Sequence, residues 1–164
     1  MVKILVAASI AWPLVLAAAV WDRAATGGSV WTSVLYAAAS RICHQRPERS
    51  FHSAGVKWPV CGRCSGLYLA APLGALAAVS MSRRRRRPAT GRATNRRIRN
   101  ANVTLVALAS LPTAVTVLAE WTGLLPVSTL ARALAAMPLG AAIAFVIVRV
   151  ATKTPRPIEY TGAE

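Results

Sequence analysis

Acidic residues are nearly missing from this 164-residue chain: five Asp and Glu stand against twenty Lys and Arg. Charge of either sign is also scarce, at 15% of residues. A soluble domain carries about 25%. Only three cysteines and two histidines are present. These shortages exclude several classes. No general base sits beside a nucleophile, and no glycine-rich nucleotide-binding loop is found. The apolar stretches hold no carboxylate except Glu120 at an edge. Proton- or cation-coupled transport therefore has little to work with. The chain has room for one domain.

What is abundant is apolar: 55% of residues, in four stretches of about Ile4 to Trp21, Val60 to Met81, Ala101 to Ala119 and Val127 to Val148. Each approaches the roughly 20 residues a helix needs to cross a bilayer. Pro13, Pro72, Pro112 and Pro138 each fall inside one stretch. Membrane helices tolerate this because neighbours re-satisfy the freed carbonyls. The expected fold is therefore all-α, a single membrane domain (1–164) of four transmembrane helices at about 4–21, 60–81, 101–119 and 127–148.

A net charge of +15 invites a nucleic-acid reading. Its distribution argues otherwise. Nine arginines fall between Arg83 and Arg99, between two apolar stretches. By the positive-inside rule this loop, 82–100, faces the cytoplasm, where it meets anionic lipids; no nucleic-acid partner is expected. The tail 149–164 (Arg149, Lys153, Arg156) and the N-terminus with Lys3 fall on the same side. The segment 22–59 is then extracytoplasmic, in a multi-pass protein of the plasma membrane. Trp21, Trp31, Trp58 and Trp121 map to the outer helix ends, as interfacial tryptophans do, while Trp12 lies mid-helix. A cleaved signal peptide at residues 1–20 (Ala17-Ala18-Ala19) would remove one helix and leave that loop in place. Ala24 to Ser40 is uncharged, but a span there would force the arginine block outside. It reads instead as an interfacial or re-entrant helix with Trp31 and Tyr36 at headgroup level. Gly66, Ala70, Gly74 and Ala78 put small side chains on one face of the second helix, which admits a close helix neighbour.

All three cysteines and both histidines lie within 22 positions, from Cys43 to Cys64. The first chemistry this fits is a metal site. Cys61-x-x-Cys64 grips one ion from the first turn of a helix, and Cys43 with a histidine completes a tetrahedral Cys₃His set for zinc. Adjacent Cys43 and His44 both ligate only through a tight turn, so geometry favours His52 as the fourth ligand. The second chemistry is thiol–disulfide exchange. A helix N-terminus lowers the thiol pKa, Arg63 assists, and Cys43 serves as third partner to Cys61 and Cys64. The third reading is a structural disulfide in a non-catalytic or lipid-interacting protein. Arg46, Arg49 and Arg63 are candidates for an anion or headgroup site, since guanidinium forks match phosphate and carboxylate. With Glu48 they equally make ion pairs at the interface. Arg132 faces the same region, pairs with Glu120 or snorkels outward.

Cys43-His44-Gln45, Pro47-Glu48-Arg49-Ser50-Phe51, Gly55, Pro59-Val60-Cys61, Arg63-Cys64 and Gly66 together resemble the predicted membrane-protein family called domain of unknown function 2085. Ser65 and Leu67 stand where that pattern has Thr and Ile. The resemblance implies a small multi-helix membrane protein without an established activity. His52 is not part of the pattern, which moves the expected fourth ligand to His44.

Overall fold

Four long helices follow the apolar stretches in the computed structural model, which describes residues 1–84 and 92–152. They are α1 (Val2–Thr26), α3 (Gly62–Arg84), α4 (Arg92–Trp121) and α5 (Thr129–Ala151), each long and apolar enough to cross a membrane. A shorter helix, α2 (Val30–Ser40), follows α1. Pro13, Pro72, Pro112 and Pro138 lie inside the four long helices without ending them. Of the arginine block Arg83–Arg99, residues 85–91 lie outside the described residues, as do Lys153 and Arg156 of the tail.

The centre of the bundle is α3 against α5. A Cβ added at Gly62, Gly66 or Gly74 would strike the carbonyl oxygen of Thr129, Ala133 or Ala141, and one at Gly140 would strike that of Leu67. The matched spacing shows two parallel helices in backbone contact over three turns. This is what a small-residue stripe permits where water is absent and packing must supply the attraction. α4 connects them and lies mainly on α5, where Thr113 Oγ1 donates to the Ala135 carbonyl at 2.9 Å. α1 runs antiparallel to α3. Near its start, Val2, Leu5 and Val6 pack on Ala75, Ala78 and Val148. Further along, Leu16 and Trp12 pack beside Val60 and Tyr68. The start of α1, the end of α3 and the end of α5 therefore share one end of the bundle.

The other end departs from an all-α fold. Strands β1 (Ser50–Ser53) and β2 (Val56–Cys61) form an antiparallel hairpin. Its turn places Ala54 (φ 50°) and Gly55 (φ 75°) in the left-handed region. That two-residue geometry matches strand twist. The register shifts between Ser50 and His52, opposite the stretch of β2 that contains Pro59. A residue without an N–H is accommodated at such a bulge. Because β2 continues to Cys61, the second long helix begins at Gly62 rather than at Val60.

Gly27 (φ 78°) and Gly28 (φ 108°) break the chain between α1 and α2. Asp22 then anchors the start of α2, its Oδ2 accepting from Ser29 N (3.2 Å) and Ser29 Oγ (2.6 Å). This satisfies an N-terminal N–H that a helix cannot satisfy internally.

Candidate metal centre

Three elements deliver the three cysteines to one place. Cys43 follows the end of α2, its N–H bonded to the Ala39 carbonyl at 2.9 Å. Cys61 ends β2, and Cys64 lies in the first turn of α3. The hairpin fixes the first relation: Cys61 N–H donates to Cys43 Sγ at 3.2 Å. Helix geometry fixes the second, since residues three apart lie on one face. The three sulfur ligand atoms all lie within 4.8 Å of one another. Cys43 is buried, while Cys61 and Cys64 are half-exposed. Leu16, Ala39 and Val60 back the cluster, with Trp12 and Tyr68 packed beside it ring edge to ring face.

Cys61 is electrostatically distinct. Its thiol is pulled from 9.0 down to about 5. The largest cause is a hydrogen bond from the Cys64 side chain. Backbone N–H groups of Cys64 and Arg63, at the open start of α3, and the Cys43 side chain act in the same direction, while burial opposes them. These donors favour the thiolate at Cys61, and the thiolate is both the metal ligand and the nucleophile.

Neither histidine belongs to this group of three. His44 and His52 are both exposed, His52 on β1 opposite Lys57. Gln45 adopts φ 47° directly after His44. It is held there by Gln45 Nε2 donating to the Tyr36 carbonyl (2.8 Å) and Lys57 Nζ donating to the Gln45 carbonyl (2.8 Å). Tyr36 reaches the same strand, its hydroxyl donating to the Lys57 carbonyl, and Arg23 stacks over its ring at 4.5 Å. Tyr36 thus faces the hairpin and braces it.

The arginines divide. Arg46 is exposed and Arg49 half-exposed, flanking the 3₁₀ turn at Pro47–Arg49. Arg63 turns away from its neighbours in sequence and donates to Glu120 Oε2 at 3.0 Å, while Arg132 binds Glu120 Oε1. The result ties α3, α4 and α5 together beside the cysteines. Arg132 thus takes the Glu120 partner that its sequence position allowed. The pairing of Arg63 with a residue 57 positions away had no local signal in the sequence.

These features define a membrane-embedded helical bundle capped at one end by a hairpin and a three-cysteine cluster. The chain belongs to the family of predicted membrane proteins DUF2085, which matches over residues 43–146, from the first cysteine to near the end of α5. It is similar to two uncharacterized archaeal proteins. One, from Methanocaldococcus jannaschii, is 59% identical over 34 residues, covering 21% of this chain and 22% of that protein. The other, from Methanothermobacter thermautotrophicus, is 57% identical over 30 residues, covering 18% and 27%. The match thus spans about a quarter of the length of these curated relatives. No solved structure matches the chain.

Proposed function

We propose that this end of the protein is an extracytoplasmic zinc site on a plasma-membrane scaffold. Cys43, Cys61 and Cys64 supply thiolates and His44 supplies the fourth ligand, with His52 as the alternate. The observation that carries the reading is the convergence of all three cysteines, from three separate elements, to within 4.8 Å. Thiolates about 3.8 Å apart suit a tetrahedral ion with Zn–S near 2.3 Å, so little movement is needed. His44 is preferred over His52 because it directly follows Cys43 and is exposed, whereas His52 stands on β1 opposite Lys57. The sidedness rests on the arginine-rich segment Arg83–Arg99 and on the position of the hairpin at the opposite end of the bundle. In this reading both termini are cytoplasmic, and the arginine-rich segment meets anionic lipids. Arg46 and Arg49 contribute to a headgroup site at the other face, whereas Arg63 is engaged by Glu120.

Detergent-purified protein is expected to carry one zinc per chain by elemental analysis. Cys43→Ser should weaken binding by more than the roughly 10–100-fold that loss of an outer-shell partner costs. His44→Ala should weaken it further than His52→Ala does. Absence of metal from the reduced wild-type protein, with no uptake of added zinc, would rule out the reading.

One observation favours a second reading, a membrane thiol–disulfide oxidoreductase. Cys61 combines half-exposure, a low thiol pKa and a partner thiol three residues on. Metal-free, reduced protein should alkylate at Cys61 with a rate that falls off near pH 5, not near the ordinary 9.0. The sign follows from the depressed value: the reactive thiolate persists above it and is lost as pH falls through it. Trapping a mixed disulfide at Cys61 with a partner protein would favour this reading over the metal site.

A further inference from the structure

α2 has two apolar sides. One side, with Thr32, Leu35, Tyr36 and Ala39, packs inward against α1 and the hairpin. On the remaining surface Val30, Trp31, Val34 and Ala38 are exposed, Val30 at 83% and Val34 at 63%. Ile42, just beyond the helix, continues the exposed surface at 63%. The eleven residues of α2 cannot cross a bilayer. A crossing takes about 20. The helix also cannot stand clear of the membrane, because α1, a candidate span, ends only four residues before it and Asp22 of α1 caps it.

Its hydroxyls are already satisfied from within. Ser33 Oγ donates to the Ser29 carbonyl at 3.1 Å and Ser40 Oγ to the Ala37 carbonyl at 2.7 Å, although both residues are exposed. Both serines lie roughly 115–135° round the helix from Val30, Trp31, Val34 and Ala38, so the polar side of α2 is separate from this apolar face. The charges agree. No acidic residue occurs between Asp22 and Glu48, and Arg41 and Arg46 are exposed at the C-terminal end.

We infer that α2 is a membrane-surface helix that seats Val30, Trp31, Val34 and Ala38 at the headgroup–acyl boundary and sets Arg41 and Arg46 on phospholipid phosphates. The occupant of this face is the bilayer itself, continuous with the lipid that surrounds α1. Interfacial helices bury an apolar face to about 5–10 Å in this way, and Trp is enriched at that depth. The inference concerns the lipid contact alone and stands whether or not the cysteines hold metal. One consequence follows for them: the helix that lies on the bilayer is also the one that presents Cys43.

The test uses full-length protein with Trp31 as its only tryptophan, Trp12, Trp21, Trp58 and Trp121 being replaced by Phe, in vesicles of phosphatidylcholine and phosphatidylglycerol. Trp31 emission should be quenched by lipids brominated on the upper acyl chain and shielded from aqueous iodide. Quenching by iodide without quenching by bromolipid overturns the inference. So does shielding from both together with crosslinked dimers, which assigns the face to a second copy. If the fourfold variant does not fold, wild-type protein is photolabelled with phosphatidylglycerol that is reactive near its glycerol. Adducts should map to residues 30–42, and their absence overturns the inference. Replacing Arg41 and Arg46 by Gln should lower the preference for phosphatidylglycerol over phosphatidylcholine by up to roughly fivefold per arginine. An unchanged preference overturns the phosphate contact.

Discussion

Replacing Gly66 with leucine is expected to take α3 off α5 and unfold the bundle core in detergent, where Leu69→Ala leaves it intact. A single Cβ at Gly66 already collides with the Ala133 carbonyl. Backbone cannot give way as a flexible side chain can, so the helices must separate along their length. Overpacking a tight core costs about 1–3 kcal/mol, and a backbone collision belongs at or above the top of that range. Even Gly66→Ala should be measurably destabilising. Gly74→Ala should match it, because the Ala141 carbonyl sits against Gly74 in the same way. Leu69 is half-exposed, so its truncation removes only surface contacts. Surface changes of that kind usually stay within about 0.5 kcal/mol. Equilibrium unfolding of the four proteins in one detergent checks the ranking. Equal midpoints for Gly66→Leu and Leu69→Ala would contradict the close approach.

Much of this arrangement is legible in the sequence. The helical period puts Gly66, Ala70, Gly74 and Ala78 on one face. The structure identifies α5 as the neighbour that face receives. The four spans are legible for a similar reason: in a bilayer every backbone group must be satisfied internally, so long apolar stretches have few alternatives to helix. The hairpin is not. Its signal is present in Ser50-Phe51-His52-Ser53 and Val56-Lys57-Trp58 on either side of Ala54-Gly55, but the strands are short. Pro59 also spoils the pattern unless a bulge is assumed. Position rather than composition makes the hairpin stable, since β2 is buried at Pro59 and Val60 against α1.

The candidate site is legible as a set of residues and not as a geometry. Clustering of every cysteine within 22 positions points to Cys43, Cys61 and Cys64, and the fold brings these together. The histidines are equally close in sequence, yet neither joins the three sulfurs, because side-chain direction depends on local backbone that spacing does not report. Arg63 shows the same limit. It sits between two cysteines in sequence, where a role beside the thiols is natural. On a helix, however, residue 63 points about 100° away from its neighbours. That rotation delivers it to Glu120.

Glu120→Ala is accordingly expected to be among the most damaging single changes in the chain, although Glu120 is remote in sequence from the cysteines. Its carboxylate is one-tenth exposed and accepts from both Arg63 and Arg132, whose side chains are 20% and 11% exposed. Removing it leaves two guanidinium groups facing each other at the end of an apolar bundle. For this partly buried set the cost falls between the about 0–1 kcal/mol of an exposed pair and the roughly 3–5 kcal/mol of a fully buried one, with Arg132 keeping, among the described residues, only the Glu48 carbonyl at 3.4 Å. Replacing the whole set should behave differently. Arg63→Leu, Glu120→Leu and Arg132→Leu in one protein remove the desolvation cost with the attraction, and such exchanges are often neutral or stabilising. The triple variant should therefore unfold at higher denaturant than Glu120→Ala. The site makes the contrast more informative. In Glu120→Ala the unneutralised Arg63 and Arg132 repel one another, which strains the first turn of α3 against its packing on α5, and Cys61 and Cys64 lie on either side of Arg63. Metal retention should then fall together with stability. In the triple variant no repulsion opposes the packing at Gly62 and Gly66, so zinc bound as proposed should be retained. A triple variant as unstable as Glu120→Ala would show that the ion pairs, and not the packing of α3 on α5, hold this end of the bundle.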